Sequence, residues 1–512
     1  MKNYDLTVIG AGPGGYVAAI RAASLGLKTA IIDREKFPGG TCLSRGCIPT
    51  KVLCHISERY RETGEYKNIG IIANDIALDI EVIQNRKNSV VSQLQKNLTR
   101  LISKKKIDLI HGEAEVLKDK TINIKRQIAA TKTSYRSGEQ TEPCIRRCNN
   151  NNNLTPPKNS SPEEKILRCN SIKGESSDTI TAKYILLATG SRPAVPASWE
   201  IDPDLLITSD EILNFKKIPK TLLVIGGGVI GMEFASIFSS FGSQVTVVEA
   251  LPTILPIEDQ DISSALKRVF TKRKVIFHTD TKVADIKKNN YSLQVSFTKP
   301  DGKNFEDNFE SVLISIGRTP VLDGIKTLNL ETNGNGPYIK VDEFYETSLP
   351  GFYAVGDLVG KTGLAHGASA EGIVFAEKIA GLNPKPLNYH HIPSCIYTDP
   401  EIARVGLTEE KAREIHGEEI ETGTYPLRAI GKAMVSNQIE GMVKIIIEKK
   451  YKEVLGISLM GANVTEMIAG FTLGLNIEST LEDFSNTVFP HPSMSEMVME
   501  CAEKMAGKGI HS

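Results

Sequence analysis

The chain has 512 residues, 40% hydrophobic and 24% charged, the make-up of an ordinary globular protein with material for about three domains. Its 61 Lys and Arg balance 61 Asp and Glu, so net charge gives no hold to nucleic acid or an anionic membrane, and neither is expected as a partner. With no signal-peptide profile behind Met1 and no run of roughly 18 apolar residues, the expected setting is the cytoplasm. There the eight cysteines are a poor structural framework, and a pair that does bridge is more often catalytic.

The first unit reads strand, turn, helix, strand: Tyr4 to Ile9, the run from Gly10 to Gly15, an Ala-rich helix to about Leu25, and Lys28 to Asp33. This is a dinucleotide fingerprint in its required context. Gly10, Gly12 and Gly15 stand where backbone approaches a pyrophosphate at a helix N-terminus, and Asp33 stands where a ribose hydroxyl needs an acceptor.

Next comes Gly39-Gly40-Thr41-Cys42-Leu43-Ser44-Arg45-Gly46-Cys47-Ile48-Pro49-Thr50-Lys51. In a regular helix residues five apart are separated by about 7.5 Å along the axis, too far for a disulfide, so a bridge between Cys42 and Cys47 demands a break. Pro49 suits a first helical turn, which puts Cys47 near a helix N-terminus where the dipole favours a thiolate. A redox disulfide and two unconnected thiols both satisfy the spacing.

Between Lys125 and about Asp178 the texture turns to an asparagine run, clustered prolines and serines, read as a loosely ordered insertion over residues 126–178. Its Cys144, Cys148 and Cys169 lack a nearby histidine, so no metal site is expected. The strand-turn-helix-strand pattern then recurs as Thr221 to Ile225, a turn with Gly226, Gly228 and Gly231, a helix to about Phe241, and Gln244 to Glu249. Two dinucleotides are therefore expected. Glu249 is followed by Ala250 and Leu251 with no arginine for a 2′-phosphate, which favours NAD over NADP; the acids alone do not say which site holds a flavin.

Two apolar strands end alike, in Thr189-Gly190-Ser191-Arg192-Pro193 and in Gly317-Arg318-Thr319-Pro320, as chains do where they cross between domains. A third ends in Gly356-Asp357, either plain turn chemistry or a hydrogen bond to a cofactor sugar. The stretch from about Asn388 lacks a fingerprint and reads as a substrate domain or a subunit interface. Near its end, His491 lies between Pro490 and Pro492, and Glu496 follows. Ser493 to Glu496 fits a helix capping box; His491 with Glu496 also fits a general acid/base whose tautomer is fixed by a carboxylate.

Taken together, Gly39 to Lys51, both fingerprints, Thr189-Gly190, Gly356-Asp357, Leu364-Ala365-His366, Tyr397 to Gly406 and His491 to Glu496 resemble the pyridine nucleotide-disulfide oxidoreductases over nearly the whole chain outside the insertion. The fold class this implies is α/β, with two Rossmann-like dinucleotide-binding domains, for FAD and NAD, and an α+β C-terminal dimerisation domain. The expected boundaries are 1–196 and 317–388 for the two parts of the FAD domain, 197–316 for the NAD domain and 389–512 for the interface domain. By the resemblance Gly10, Gly12, Gly15, Asp33, Lys51, Thr189, Gly190, Asp357 and Ala365 serve FAD, and Gly226, Gly228, Gly231, Glu249 and Gly317 serve NAD. Cys47 is implied as the thiolate facing the flavin, Cys42 as the thiol that exchanges with substrate, and Lys51 as a charge near the flavin paired with Glu233. His491, held by Glu496, is implied to act in the partner subunit of a homodimer.

Within the family the resemblance points to enzymes that oxidise protein-bound dihydrolipoamide with NAD⁺. The implied partners are lipoyl domains and the core acyltransferase of a 2-oxo acid dehydrogenase complex, or the glycine-cleavage system. Ser44 and Thr50 depart from the usual family wording without removing a reactive group. The absence of a cysteine pair in Gly507 to Ser512, and Val229 in place of a gating tyrosine, argue against mercuric, thioredoxin and glutathione reductases. The alternatives are a reductase of another low-molecular-weight disulfide and a non-catalytic flavin-binding interaction protein.

Overall fold

A computed structural model of the protein describes residues 2–127, 175–334 and 336–511. The Lys2–Ile9 strand lies inside a mostly parallel sheet, with Thr29–Asp33 and then Asp108–His111 on one side and Glu175–Leu187 on the other. Leu6 and Val8 pack under the Pro13–Ser24 and Ala365–Ile379 helices, whereas Ile9 and Ile32 face a second cluster with Ile122, Ile124 and Phe352. Covered on both faces, these strands read as unbroken apolar runs. The two helices touch through glycine: a Cβ on Gly372 would lie 2.5 Å from the carbonyl oxygen of Gly14.

The Glu175–Leu187 strand has several neighbours. Its first half pairs antiparallel with Thr121–Gln127, up to Glu175 opposite Gln127, and its second half pairs parallel with Phe352–Ala354. Strand pairing therefore claims Arg126, Gln127 and residues 175–178, which the sequence reading had given to the insertion; the ladder's backbone hydrogen bonds hold them in the sheet. The remainder of that segment, with Cys144, Cys148 and Cys169, lies outside the described residues.

The second unit is a parallel sheet in the order Ile276–His278, Gln244–Val248, Thr221–Ile225, Ser311–Ile314, Leu206–Thr208, extended by an antiparallel sheet of Lys282–Lys288, Leu293–Thr298 and Asn304–Phe309. The chain passes into this unit through Ser191–Pro193 and out through Arg318–Pro320, and these segments pair antiparallel with each other. The third unit is an antiparallel sheet in the order Ser394–Ile396, Glu401–Gly406, Val454–Gly461, Met442–Glu448, Ile420–Pro426, covered by the Val464–Asn476 and Glu496–Met505 helices. That last helix begins at Glu496, after Ser495, and not after Ser493 as a capping box over Ser493 to Glu496 would have it.

A buried charge cluster ties the second unit to the third. Lys444, its side chain 3% exposed, meets Asp259 at 2.8 Å, Asp261 at 2.7 Å and Glu409 at 2.5 Å. Burial opposes the ammonium, but the three carboxylates outweigh it and raise its pKa. Removing one member of such a cluster leaves uncompensated buried charge.

Candidate active site

The two glycine-rich turns repeat one another down to single hydrogen bonds. Ala11 N–H donates to Asp33 at 2.6 Å and Gly227 N–H donates to Glu249 at 2.7 Å, each across 22 residues. Each acid also accepts from the residue two positions on, Glu35 at 2.7 Å and Leu251 at 2.8 Å. Both helices start after an extended glycine, Gly12 or Gly228, with no side-chain cap, so their first N–H groups stay free for an anion. The other glycines are steric necessities. A Cβ on Gly10 would lie 2.3 Å from the Ala188 carbonyl oxygen, and Cβ atoms on Gly15 and Gly231 would each lie 2.0 Å from the oxygen of the turn's first glycine. Around Gly228 nothing lies within 4 Å, and around Gly12 only Gly40 Cα reaches 4.0 Å, which leaves room for a pyrophosphate at each turn.

A cavity of about 1090 Å³ is walled by Gly12, Asp33, Cys42, Cys47, Lys51 and Asp357, among others. Its size, its polar acceptors and the uncapped helix end suit an extended dinucleotide. Burial is the leading influence on Asp33 and raises its carboxyl pKa against the two N–H donors; those use two of roughly four lone-pair positions, leaving acceptors for a ribose. Thr189 Oγ1 donates to Val321 O at 2.6 Å, Gly190 turns with φ +70°, and Ala365 opens a helix with no side-chain cap at the cavity wall. Asp357 accepts from the Ser191 hydroxyl, which is itself held by Arg318 Nε at 2.7 Å. Gly226, Gly228, Gly231, Glu249 and Gly317 lie off this wall, yet Val229 and Ile230 of the second helix are on it. The second cradle is thus separate but its helix looks into the first.

The cysteine segment breaks where the bridging geometry requires. Gly40–Arg45 and Cys47–Glu62 are two helices parted by Gly46, whose φ −138° and ψ −110° are far from helical. Cys47 is the first residue of the longer helix, and it and Cys42 are free thiols that act on one another. The Cys42 thiol, aided by Lys51, lowers the Cys47 pKa against burial and Glu233. Cys42 is pushed up by Cys47 and by burial. The helix N-terminus and Lys51 both favour a thiolate at Cys47.

Lys51, one turn along, meets both oxygens of buried Glu233 at 2.9 Å. Burial alone would lower its pKa, but Glu233 leads the influences that outweigh burial and hold it raised. His491 and Glu496 are also brought together, Nδ1 to Oε1 at 2.8 Å, while the other carboxylate oxygen accepts the Ser493 N–H at 2.7 Å. One carboxylate oxygen thus orients the histidine and the other holds the Ser493 N–H, but the capping box does not form: the helix starts at Glu496 after Ser495, with no side-chain cap. The His491 side chain is 77% exposed and is not on the cavity wall of its own chain.

Some residues at the site gave no usable signal in the sequence. Arg45, between the two cysteines, pairs with Glu35 at 3.0 Å and Asp210 at 3.4 Å, while Ser44 accepts from Gln95 at 3.1 Å, so the short helix between the cysteines is pinned from the first and the second unit. Glu371 accepts the Gly356 N–H at 2.6 Å and so sets the turn that carries Asp357. Their partners lie far along the chain, with no spacing rule to announce them.

Known proteins carry the same arrangement. The model of the family described as pyridine nucleotide-disulphide oxidoreductase matches residues 4–372, and that of the family's dimerisation domain matches residues 392–502. A dihydrolipoyl dehydrogenase of Bacillus subtilis (strain 168) is 36% identical over 99% of both chains, and one of Rhizobium etli is 37% identical over the full length of both. Among solved structures, the HOCl-induced flavoprotein disulfide reductase RclA from Escherichia coli is similar with a TM-score of 0.78 at 25% identity, covering 98% of this chain and 100% of its own. LpdA from Mycobacterium tuberculosis, at 23% identity, shares the fold with a TM-score of 0.80 over 99% of this chain and 100% of its own. Paired thiols at a helix start, two duplicated nucleotide cradles and full-length relatives agree: the chain belongs to the pyridine nucleotide-disulfide oxidoreductase family.

Proposed function

We propose that the protein is a dihydrolipoyl dehydrogenase, oxidising protein-bound dihydrolipoamide to lipoamide with FAD and NAD⁺. The observation that carries this is the thiol pair Cys42 and Cys47, set on either side of a helix break on the wall of the cavity shared with Gly12, Asp33 and Lys51. In this reading Gly10, Gly12, Gly15, Asp33, Thr189, Gly190, Asp357, Ala365 and Lys51 hold FAD, and Gly226, Gly228, Gly231, Glu249 and Gly317 hold NAD. The domain bounds 1–196 with 317–388, 197–316 and 389–512 follow the same division of labour.

In the oxidised enzyme a substrate thiol gives its proton to His491 of the partner subunit and its sulfur attacks Cys42 in the Cys42–Cys47 disulfide. Cys47 leaves as thiolate, its charge favoured by the helix N-terminus and by Lys51. The second substrate thiol then attacks the mixed disulfide, releasing lipoamide and the Cys42 thiol. Lys51 and the helix N-terminus hold the charge on Cys47 throughout. Bound FAD would take the electron pair from the reduced cysteines through the Cys47 thiolate, re-forming the Cys42–Cys47 disulfide, and NAD⁺ would carry that pair away as hydride.

The chain carries the family's dimerisation domain, which supports a homodimer. An exposed His491 set off its own cavity supports a role across the dimer. Lipoyl domains and the core acyltransferase of a 2-oxo acid dehydrogenase complex, or the glycine-cleavage system, are the proposed partners. Among the described residues no helix is long and apolar enough to cross a membrane, and the proposed setting is the cytoplasm. The test is a four-way assay of lipoamide and glutathione disulfide, each with NADH and NADPH. Reduction of lipoamide with NADH is expected to dominate; preference for glutathione disulfide or NADPH would overturn the reading.

A further inference from the structure

Resting on that reading, we infer that Tyr397 is a positioning residue of the redox site: its ring and backbone N–H fix the Lys51–Glu233 pair beside Cys47. Tyr397 directly follows the Ser394–Ile396 strand of the third unit, so it reaches the site from a different part of the fold than either partner. The Lys51 ammonium lies 4.5 Å from the centre of the Tyr397 ring, within cation–π range. The Tyr397 N–H donates at 3.0 Å to Glu233 Oε1, the same oxygen that takes Lys51 at 2.9 Å. Ring and N–H thus grip the two members of one ion pair.

The segment is itself anchored. Two residues on, Asp399 N–H donates at 3.1 Å to Ser236 Oγ, almost one turn beyond Glu233 on the Val229–Ser240 helix. The Asp399 carboxylate pairs with Arg61, near the far end of the Cys47–Glu62 helix. Tyr397 to Asp399 therefore braces the cysteine-bearing helix at both ends while lying along the helix that presents Glu233.

Lys51 is one of the groups that stabilise the Cys47 thiolate. Its side chain remains 30% exposed, and with the ring gone water takes that face and the ammonium is free to swing from Glu233. The other titratable groups around this site are Cys54, Cys395 and Glu401; burial pushes both thiols up and so keeps them neutral, and none of the three presents a ring face to Lys51. The Tyr397 hydroxyl makes no hydrogen bond among the described residues, so the ring and not the hydroxyl is the acting group.

The test is a pH titration of the long-wavelength thiolate-to-flavin absorption in the two-electron-reduced holoenzyme of the wild type, Tyr397→Phe, Tyr397→Leu and Tyr397→Met. Both variants without a ring are expected to raise the midpoint by about half to one pH unit, the scale of one cation–π contact, while Tyr397→Phe keeps the wild-type midpoint. An unmoved or lowered midpoint in the ring-less variants, or an equal shift in Tyr397→Phe, would overturn the positioning role. Tyr397→Met preserves bulk if Tyr397→Leu fails to fold. A wild type lacking the absorption altogether sinks the disulfide reading itself, and with it this inference; a normal wild type with unmoved ring-less variants sinks the inference alone.

Discussion

The two nucleotide cradles share their local wiring but not their surroundings. In the first, the cysteine segment rests on the glycine turn, with the Cβ position of Gly40 only 2.6 Å from Gly12 Cα, and a second helix packs on Pro13–Ser24 through Gly14 and Gly372. In the second, Gly228 faces open space and its helix lies alongside the cysteine-bearing helix, joined to it by Glu233 and Lys51. One backbone solution thus makes an enclosed seat and an open one. Retention follows the cover and not the motif, so the first suits a resident cofactor and the second a cosubstrate that must come and go.

Valine in the cradles breaks the comparison most directly. Gly12→Val, at an ordinary φ of −69°, sends its side chain into the enclosed seat, and the purified protein is expected to be colourless and inactive. Gly228→Val should stay yellow and lose only nicotinamide affinity, by roughly tenfold or more, about 1.4 kcal/mol per decade. Absorbance spectra and the KM for NAD⁺ separate the two; flavin loss in both would erase the distinction between enclosed and open seats.

Changes that touch neither cradle sharpen it. Cys42→Ser and His491→Ala are expected to keep bound flavin and to lower kcat with dihydrolipoamide by about 10²–10⁴-fold or more, measured by steady-state kinetics. Full activity in either variant would remove that residue from the mechanism.

A smaller effect on catalysis is expected from Lys444→Met, which strips the cation from Asp259, Asp261 and Glu409. Loss of about 3–5 kcal/mol in denaturant unfolding is expected, with flavin retained until the transition. An unchanged midpoint would show that the second unit does not depend on this attachment to the third.

What the sequence made legible was what repeats or lies close by. Strand, glycine turn, helix and acid were readable twice because their spacing is dictated by backbone geometry, and His491 found Glu496 because only five residues part them. Lys51 and Glu233 are 182 residues apart, and no periodicity joins them; only the family resemblance named that pair. Tyr397 stood inside a recognised motif, but its role rests on a ring face meeting an ammonium from another unit. Arg45 carries no signal of its own between the cysteines; its role is set by Glu35 and by Asp210, which lies far along the chain.

The paired crossings at Ser191–Pro193 and Arg318–Pro320 set the ends of the second unit side by side. A segment whose two ends meet can be lifted out of a chain, or exchanged for another, without stretching the host sheet that Lys2–Ile9 and Glu175–Leu187 close between them. The second unit is in that sense a cassette. Grafting a related cassette between the Ser191–Pro193 and Arg318–Pro320 crossings, with Glu233 kept for Lys51, offers a way to change the electron acceptor while leaving the cysteine chemistry untouched.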